Sequence, residues 1–233
     1  MSKNTLEPIF NEVPFKKVKL PEDLYSFIME EYKKREFDQI DQCIEYSTVY
    51  DCYTSAGISI RGSDQPYCLK TDISTELYEK CYDVITPIIE EWSGQRLQKT
   101  WGYGIRHYVH DSVLHLHRDL IQTHILSCII FIDQKSDKNW PLDFFDHEHN
   151  HHKVYFEPGD MLLYESLCVH GRLEPFRGEY YRNMYFHWKP MHWSYDKYED
   201  LKVEFKDEHE FRNYYRRSDV YDTRRERTIP RNI

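Results

Sequence analysis

Leu114-His115-Leu116-His117-Arg118-Asp119 is the stretch on which the reading of this chain turns, because it holds the only His-x-Asp in the sequence. The tripeptide alone is weak: with 13 histidines and 19 aspartates in 233 residues, chance gives about one. Its interest lies in spacing. In an extended strand residues i and i+2 point the same way, so His117 and Asp119 can grip one ion together.

A second histidine from a distant strand would complete a face of two imidazoles and one carboxylate. Such a face leaves three adjacent coordination positions open, the arrangement of non-haem ferrous oxygenases. His170 is the natural partner. It follows the tight turn Glu157-Pro158-Gly159-Asp160 and the apolar strand Met161-Leu162-Leu163-Tyr164-Glu165, and it precedes Gly171, where backbone can bend toward a site. Any one of these histidines could be a hydrogen-bonded structural residue; the ordered set, each piece on its own short strand, favours ligation.

Outward from this centre, residues 103–109, 122–132, 153–157, 161–165 and 180–188 are short β-branched or aromatic runs separated by Gly, Pro, Asp and Asn, which predicts an antiparallel sandwich or barrel. Upstream, Pro21-Glu22-Asp23 opens a helix whose apolar stripe is Leu24, Phe27, Ile28 and Tyr32. Ser74-Thr75-Glu76 starts a second helix, with Leu77, Cys81, Val84, Ile85 and Ile89 at helical spacing and Ser93-Gly94 closing it. Residues 35–72 read as strands and turns. The two helices are expected to pack on one face of the strands. The division is one domain over 1–190, helical and irregular to about 99 and β from about 100, followed by a charged peripheral extension over 191–233, read as a helix and a loosely held tail.

Composition sets outer limits. The apolar fraction of 40% fills a core, and the net charge of −9 weighs against a general nucleic-acid binder, which needs a basic footprint. No apolar run approaches membrane-spanning length, and Met1-Ser2-Lys3-Asn4-Thr5 lacks a basic-then-apolar leader. Six cysteines without CxxC or close pairs read as free thiols, which places the protein in the cytoplasm.

Six segments together resemble the iron- and 2-oxoglutarate-dependent dioxygenases of the prolyl 4-hydroxylase-like branch. They are Tyr103-Gly-Ile-Arg-His-Tyr108, Leu114-His-Leu-His-Arg-Asp119, Thr123-His-Ile-Leu-Ser127, Trp140-Pro-Leu142, Pro158-Gly-Asp-Met-Leu-Leu-Tyr164 and His170-Gly-Arg172, within residues 75–190. The resemblance implies an α+β, mainly β fold: a double-stranded β-helix, or jelly roll, with the N-terminal helices on its major sheet. It implies Fe(II) at His117, Asp119 and His170, with 2-oxoglutarate and O2 as co-substrates of a C–H hydroxylation. Relatives hold the far carboxylate of 2-oxoglutarate with a basic residue downstream of the second histidine. Arg182, twelve positions beyond His170, is the first choice, since a guanidinium grips a carboxylate in a bidentate fork. Tyr180 departs from the pattern, standing where prolyl hydroxylases carry lysine; Arg172 and Arg106 are rivals. Tyr108 matches the tyrosine that hydrogen-bonds the same carboxylate, Trp188 a tryptophan near the substrate mouth, and His115 reads as facing the substrate or supporting a ligand.

The carboxylate at Asp119 argues against halogenation, which in related enzymes needs a small residue there. The resemblance favours a peptide or protein substrate, proline first, with a free amino acid or other small metabolite as the alternative and nucleic acid disfavoured by charge. A non-catalytic module with a retained fold is the reading of another class, and the intact ligand set weighs against it. His147-Glu-His-Asn-His-His152 falls where relatives carry a variable loop and is read as solvated rather than as a second metal site. Arg212, Arg216, Arg217, Arg224, Arg225, Arg227 and Arg231 make a basic tail, read as a solvated end.

Overall fold

The computed structural model describes residues 10–34, 52–53, 68–110, 112–119 and 123–193, and of 52–53, 68–70, 113 and 115–117 the backbone alone. In chain order the elements are β1 (Phe15–Lys19), α1 (Glu22–Lys34), β2 (Cys52–Tyr53), β3 (Cys68–Thr71), α2 (Thr75–Ser93), β4 (Leu97–Val109), β5 (Val113–His117), β6 (Leu126–Ser136), β7 (Leu142–Phe145), β8 (His151–Val154), β9 (Asp160–Glu165), β10 (His170–Arg172) and β11 (Gly178–Pro190). The tail expected over 191–233 lies outside the described residues beyond Trp193, as does most of 35–72.

The strands form two antiparallel sheets. The larger runs β1-β9-β6-β11-β4-β3 and the smaller β2-β5-β10-β7-β8. Neighbours along each sheet are mostly distant in sequence, so each half of the fold is closed by strands from several regions of the chain.

α2 has the ends expected from its sequence. Ser74 Oγ accepts the Leu77 amide at 3.1 Å, and Gly94, at φ 66°, returns its own amide to the Glu90 carbonyl. Leu77, Cys81, Ile85 and Ile89 bury one stripe of this helix. They join Leu24 and Ile28 of α1 and Ile130, Met161, Leu163, Met184, Phe186 and Trp188 of the larger sheet in one apolar cluster. The opposite face of the same strands supplies Ile129, Phe131, Leu162, Tyr164, Tyr181 and Tyr185 to a second cluster, which also takes in Leu142, Phe144 and Val154 of the smaller sheet. Strands covered on both faces explain the near-continuous apolar runs of β6 and β9.

β1 is absent from the sequence reading. Phe15-Lys-Lys-Val-Lys19 is too polar for a core strand and sits at the edge of the larger sheet beside β9, where lysines discourage further pairing. The run expected at 153–157 lies instead at His151–Val154, since Glu157 belongs to the turn into β9, where Asp160 Oδ2 accepts its amide at 2.8 Å.

Candidate active site

β5 and β10 meet antiparallel with His117 directly opposite His170, and His170 is flanked on its other side by Phe144 of β7. Opposed residues of an antiparallel ladder share a face, so the register sets these two histidine positions side by side. Asp119 follows β5 immediately, and its amide donates to the Ser166 carbonyl at 3.0 Å. Just past β9, the chain is thereby tied to the end of β5.

His170 is buried, and its Nδ1 lies 2.9 Å from the Cys168 carbonyl. A carbonyl only accepts, so Nδ1 carries a proton, and in the neutral ring Nε2 then keeps its lone pair. That Nε2 stands 3.8 Å from Asp119 Oδ2. The same oxygen accepts the Tyr164 hydroxyl at 3.4 Å. Phe144 stacks on the His170 ring, with centroids 6.1 Å apart, and Tyr164 meets it edge-on at 5.0 Å, which fixes its orientation.

A further imidazole reaches this carboxylate. His187 of β11 places Nδ1 at 3.8 Å from Asp119 Oδ2 and at 2.6 Å from Ser127 Oγ. His124 stacks on it at 3.8 Å between centroids. Burial holds the His187 ring well below the ordinary histidine range, helped by His124, Arg106 and His170 and opposed by Asp119. His124 is lowered in the same way, by burial first and Arg106 second, against Asp119. Both are neutral near pH 7.

The predicted anchors divide between the two faces of the larger sheet. Along β11 the residues Tyr181 and Tyr185 belong to the cluster between the sheets, whereas Met184, Phe186 and Trp188 belong to the cluster with the helices. Arg182 lies on the helix side. Its Nε donates to His107 Nδ1 at 3.0 Å, its Nη1 to Tyr32 of α1 and to Asp133 Oδ2 at 3.3 Å, and its guanidinium lies 3.6 Å from the Tyr180 ring centre. Arg182 therefore ties α1 to the helix-covered side of the larger sheet, away from the space between the sheets where His170 lies, contrary to its expected role. Trp188 is likewise a core residue: its indole donates to Thr86 Oγ1 at 2.9 Å and packs edge-to-face on Tyr82, so it does not line a substrate mouth.

Arg172, Arg106 and Tyr108 lie with the cluster between the two sheets. Arg172 is fully buried between the Trp140 and Tyr181 rings, at 4.4 Å and 4.3 Å from their centres. Its Nη2 donates to the Tyr181 hydroxyl at 2.7 Å and its Nη1 to the Trp140 carbonyl, while its Nε has no partner among the described residues. Tyr108 and Tyr185 join hydroxyl to hydroxyl at 3.2 Å. Arg106 stacks over Tyr103 and Tyr185. The roles expected for the side chains of His115 and His117 lie outside the described side chains.

Three histidines of the tract are held by the fold, while Glu148 and Asn150 between them are exposed. His147 is buried against Glu165 at 3.2 Å, His151 pairs with the buried Asp143 at 2.7 Å, and His152 pairs with Asp146 at 2.8 Å, the last two from β8. Each of these three imidazoles has its own carboxylate, and no three metal-ligating groups converge among the described residues.

His187, His124 and Tyr164 are the site residues that sequence reasoning missed. A signal existed: Arg182, Met184, Phe186 and Trp188 alternate with Tyr181, Asn183, Tyr185 and His187, and the more apolar set suits the helix-covered face.

No protein-family model matches this sequence, and no curated protein is detectably similar to it. Solved structures are similar in fold. AviO1 from Streptomyces viridochromogenes Tue57 superposes with a TM-score of 0.58 at 12% identity, over 79% of this chain and 93% of that one. EctD from S. alaskensis with bound Fe gives 0.53 at 12% identity over 78% and 74%. Its complex with 2-oxoglutarate and 5-hydroxyectoine gives 0.53 at 11% over 78% and 73%. A Pseudomonas putida prolyl-4-hydroxylase gives 0.51 at 13% over 80% and 98%. The chain therefore shares its fold with these proteins across roughly four-fifths of its length.

Proposed function

We propose that this protein is an Fe(II)- and 2-oxoglutarate-dependent dioxygenase that hydroxylates an unactivated C–H bond. Its fold is then a double-stranded β-helix with α1 and α2 buttressing the larger sheet. The observation that carries the reading is the His170 imidazole, its Nδ1–H committed to the Cys168 carbonyl and its Nε2 turned to the Asp119 carboxylate at 3.8 Å, with His117 across the ladder. Fixing the tautomer through the remote nitrogen is how proteins prepare a histidine for a metal. Two neutral imidazoles and one carboxylate are donors that suit ferrous iron.

His117, Asp119 and His170 would hold the iron. Arg172, one strand repeat beyond His170, would take the far carboxylate of 2-oxoglutarate with Tyr181 and Tyr108, in place of Arg182. Its partnerless buried Nε fits a group that the protein itself does not supply. When bound, iron and 2-oxoglutarate supply the oxidising power: O2 is consumed, 2-oxoglutarate yields succinate and CO2, and one oxygen atom enters the substrate. The chain's own part is to orient and to exclude. Tyr164 holds Asp119 in place, Phe144 and Tyr164 keep water from the His170 ring, and His187 and His124 remain uncharged beside the site.

The substrate is a peptidyl residue such as proline, or a small metabolite. Support exists for both, since the similar structures include a prolyl-4-hydroxylase and EctD with 5-hydroxyectoine. Free buried thiols at Cys81, Cys128 and Cys168 support a reducing compartment such as the cytoplasm. Among the described residues no helix is long and apolar enough to cross a membrane.

Anaerobic addition of Fe(II) and 2-oxoglutarate should produce the weak visible charge-transfer band of the chelated pair. Asp119→Ala should abolish both that band and succinate formation while keeping the circular-dichroism spectrum. A variant that still makes succinate overturns the ligand assignment, and a wild-type protein without the band is a binding module.

A further inference from the structure

The turn between β9 and β10 fixes both Asp119 and His170. The Cys168 amide donates to the Glu165 carbonyl at 3.0 Å and closes this turn. Within it the Ser166 carbonyl takes the Asp119 amide at 3.0 Å, and the Cys168 carbonyl takes His170 Nδ1 at 2.9 Å. Where the turn sits therefore sets where the Asp119 backbone and the His170 ring stand.

From outside, the turn is held by residues 10–14, a strap that leads into β1. The Pro14 carbonyl accepts the Glu165 amide at 2.8 Å. In return the Glu165 carboxylate takes the Asn11 amide at 2.8 Å on Oε1 and the Phe10 amide at 3.3 Å on Oε2, with Asn11 Nδ2 at 3.4 Å from Oε1. His147 stands on the same carboxylate, its Nε2 3.2 Å from Oε2, and its Nδ1 lies 3.6 Å from the Cys168 thiol. Glu165 is buried, and a carboxylate taken out of water is stabilised only by donors aimed at it. Most of those donors come from the strap. The next residue, Phe15, places its ring centre 4.9 Å from that of Phe144, which stacks on His170. The strap thus backs the His170 ring by two routes, one through the turn and one through Phe144.

We propose that the strap, latched by the Glu165 carboxylate, is a positioning element of the metal site, holding the Cys168 carbonyl where it orients the His170 ring. The proposal rests on the dioxygenase reading above, in which His170 and Asp119 are ligands. Glu165 acts on His170 through the turn and is a positioning residue. Glu165→Gln exchanges one acceptor oxygen for a donor, which sets donor against donor at either the strap amides or His147. The turn then shifts, and His170 loses the acceptor that keeps its proton on Nδ1.

The test sets Glu165→Gln beside Asp160→Asn, which loosens the opposite end of β1 by removing the charge that Lys17 and Lys19 share and leaves the latch whole. Ni(II) is titrated by calorimetry into the metal-free whole chain. The His170 tautomer is read by nitrogen NMR of the same protein at alkaline pH, where imidazoles are neutral, with the signal assigned by its loss in His170→Gln. Wild type and Asp160→Asn should bind Ni(II) alike and hold His170 as the Nδ1–H tautomer. Glu165→Gln should bind Ni(II) about tenfold more weakly and show both tautomers. A wild-type affinity or an unmoved tautomer in Glu165→Gln overturns the proposal. So does an equal loss in Asp160→Asn, which would make affinity follow the stability of β1 rather than the latch. If Glu165→Gln fails to fold, Asn11→Pro, which deletes the amide donor to Oε1 and leaves the carboxylate in place, decides by the same two readouts. A wild-type protein that binds no Ni(II) removes the metal site and this inference together, whereas normal binding that Glu165→Gln leaves unchanged removes this inference alone.

Discussion

Tyr164 presents its hydroxyl to Asp119 Oδ2 at 3.4 Å from a fully buried position on β9. Burial first, and the Asp119 charge second, push that phenol well above its ordinary range, so it remains a donor at any working pH. Groups that orient a ligand from behind commonly set metal affinity by ten- to a hundredfold. Tyr164→Phe should therefore weaken Ni(II) binding, used as an air-stable stand-in for Fe(II), by about tenfold in calorimetry. An unchanged affinity would show that Asp119 is positioned by its backbone alone. Arg182 and Arg172 make a second comparison of single residues. Arg182→Gln should lower stability by about 2 kcal/mol, because Tyr32, His107 and Asp133 lose their shared partner, and should leave 2-oxoglutarate affinity intact. Arg172→Gln should raise the 2-oxoglutarate dissociation constant more than tenfold; the opposite ranking would return the anchor to Arg182.

At the scale of elements, β1 is held to β9 by charge as well as by its ladder. Lys19 Nζ lies 2.6 Å and Lys17 Nζ 3.4 Å from the carboxylate of Asp160. Burial pushes the Asp160 carboxyl up, but Lys19, the Glu157 amide and Lys17 outweigh it, so the group titrates below its ordinary value. A carboxyl whose folded value is depressed stabilises the fold above its unfolded value, near pH 3.9, and that contribution disappears as pH falls through the folded value. Asp160→Asn should cost about 1 kcal/mol at pH 7 and make the acid limb below about pH 4 shallower in urea melts. Equal acid limbs would mean that the β1 ladder, not its charges, closes this edge. β11 shows where sequence reading reaches its limit at this scale. Its existence was legible from the run Tyr180–Trp188, but which alternate residues face inward was carried only by the more apolar character of one set. A strand of period two offers both parities, and Arg182 and Trp188 fall with Met184 and Phe186 on the face that the helices cover. α2 was legible to its ends because Ser74 and Gly94 act through local backbone chemistry that needs no partner from elsewhere.

Across the whole molecule, the larger sheet separates two cores, one shared with the helices and one with the smaller sheet, and the cysteines report on both. Cys81 and Cys128 lie in the first and Cys168 in the second, each at most 1% exposed. Burial pushes the Cys81 thiol up to about 12 and Cys128 well above its ordinary value. Since the thiolate is the reactive form, all three should resist brief iodoacetamide treatment of the native protein and become labelled only on unfolding, as counted by peptide mass spectrometry. Labelling of any of them at native rates would show that its core opens. The sequence by itself determined the two helices, most of the strands and the order of the candidate ligands, because caps, periodicity and turn residues are properties of neighbours along the chain. Only the tertiary structure decided that His187 and Tyr164 meet Asp119, that Arg172 turns inward while Arg182 turns out, and that His147, His151 and His152 are paired off with Glu165, Asp143 and Asp146. Those contacts join residues from different strands, and they exist only once sheet register and strand parity have been set by burying one face against the helices and the other against the smaller sheet.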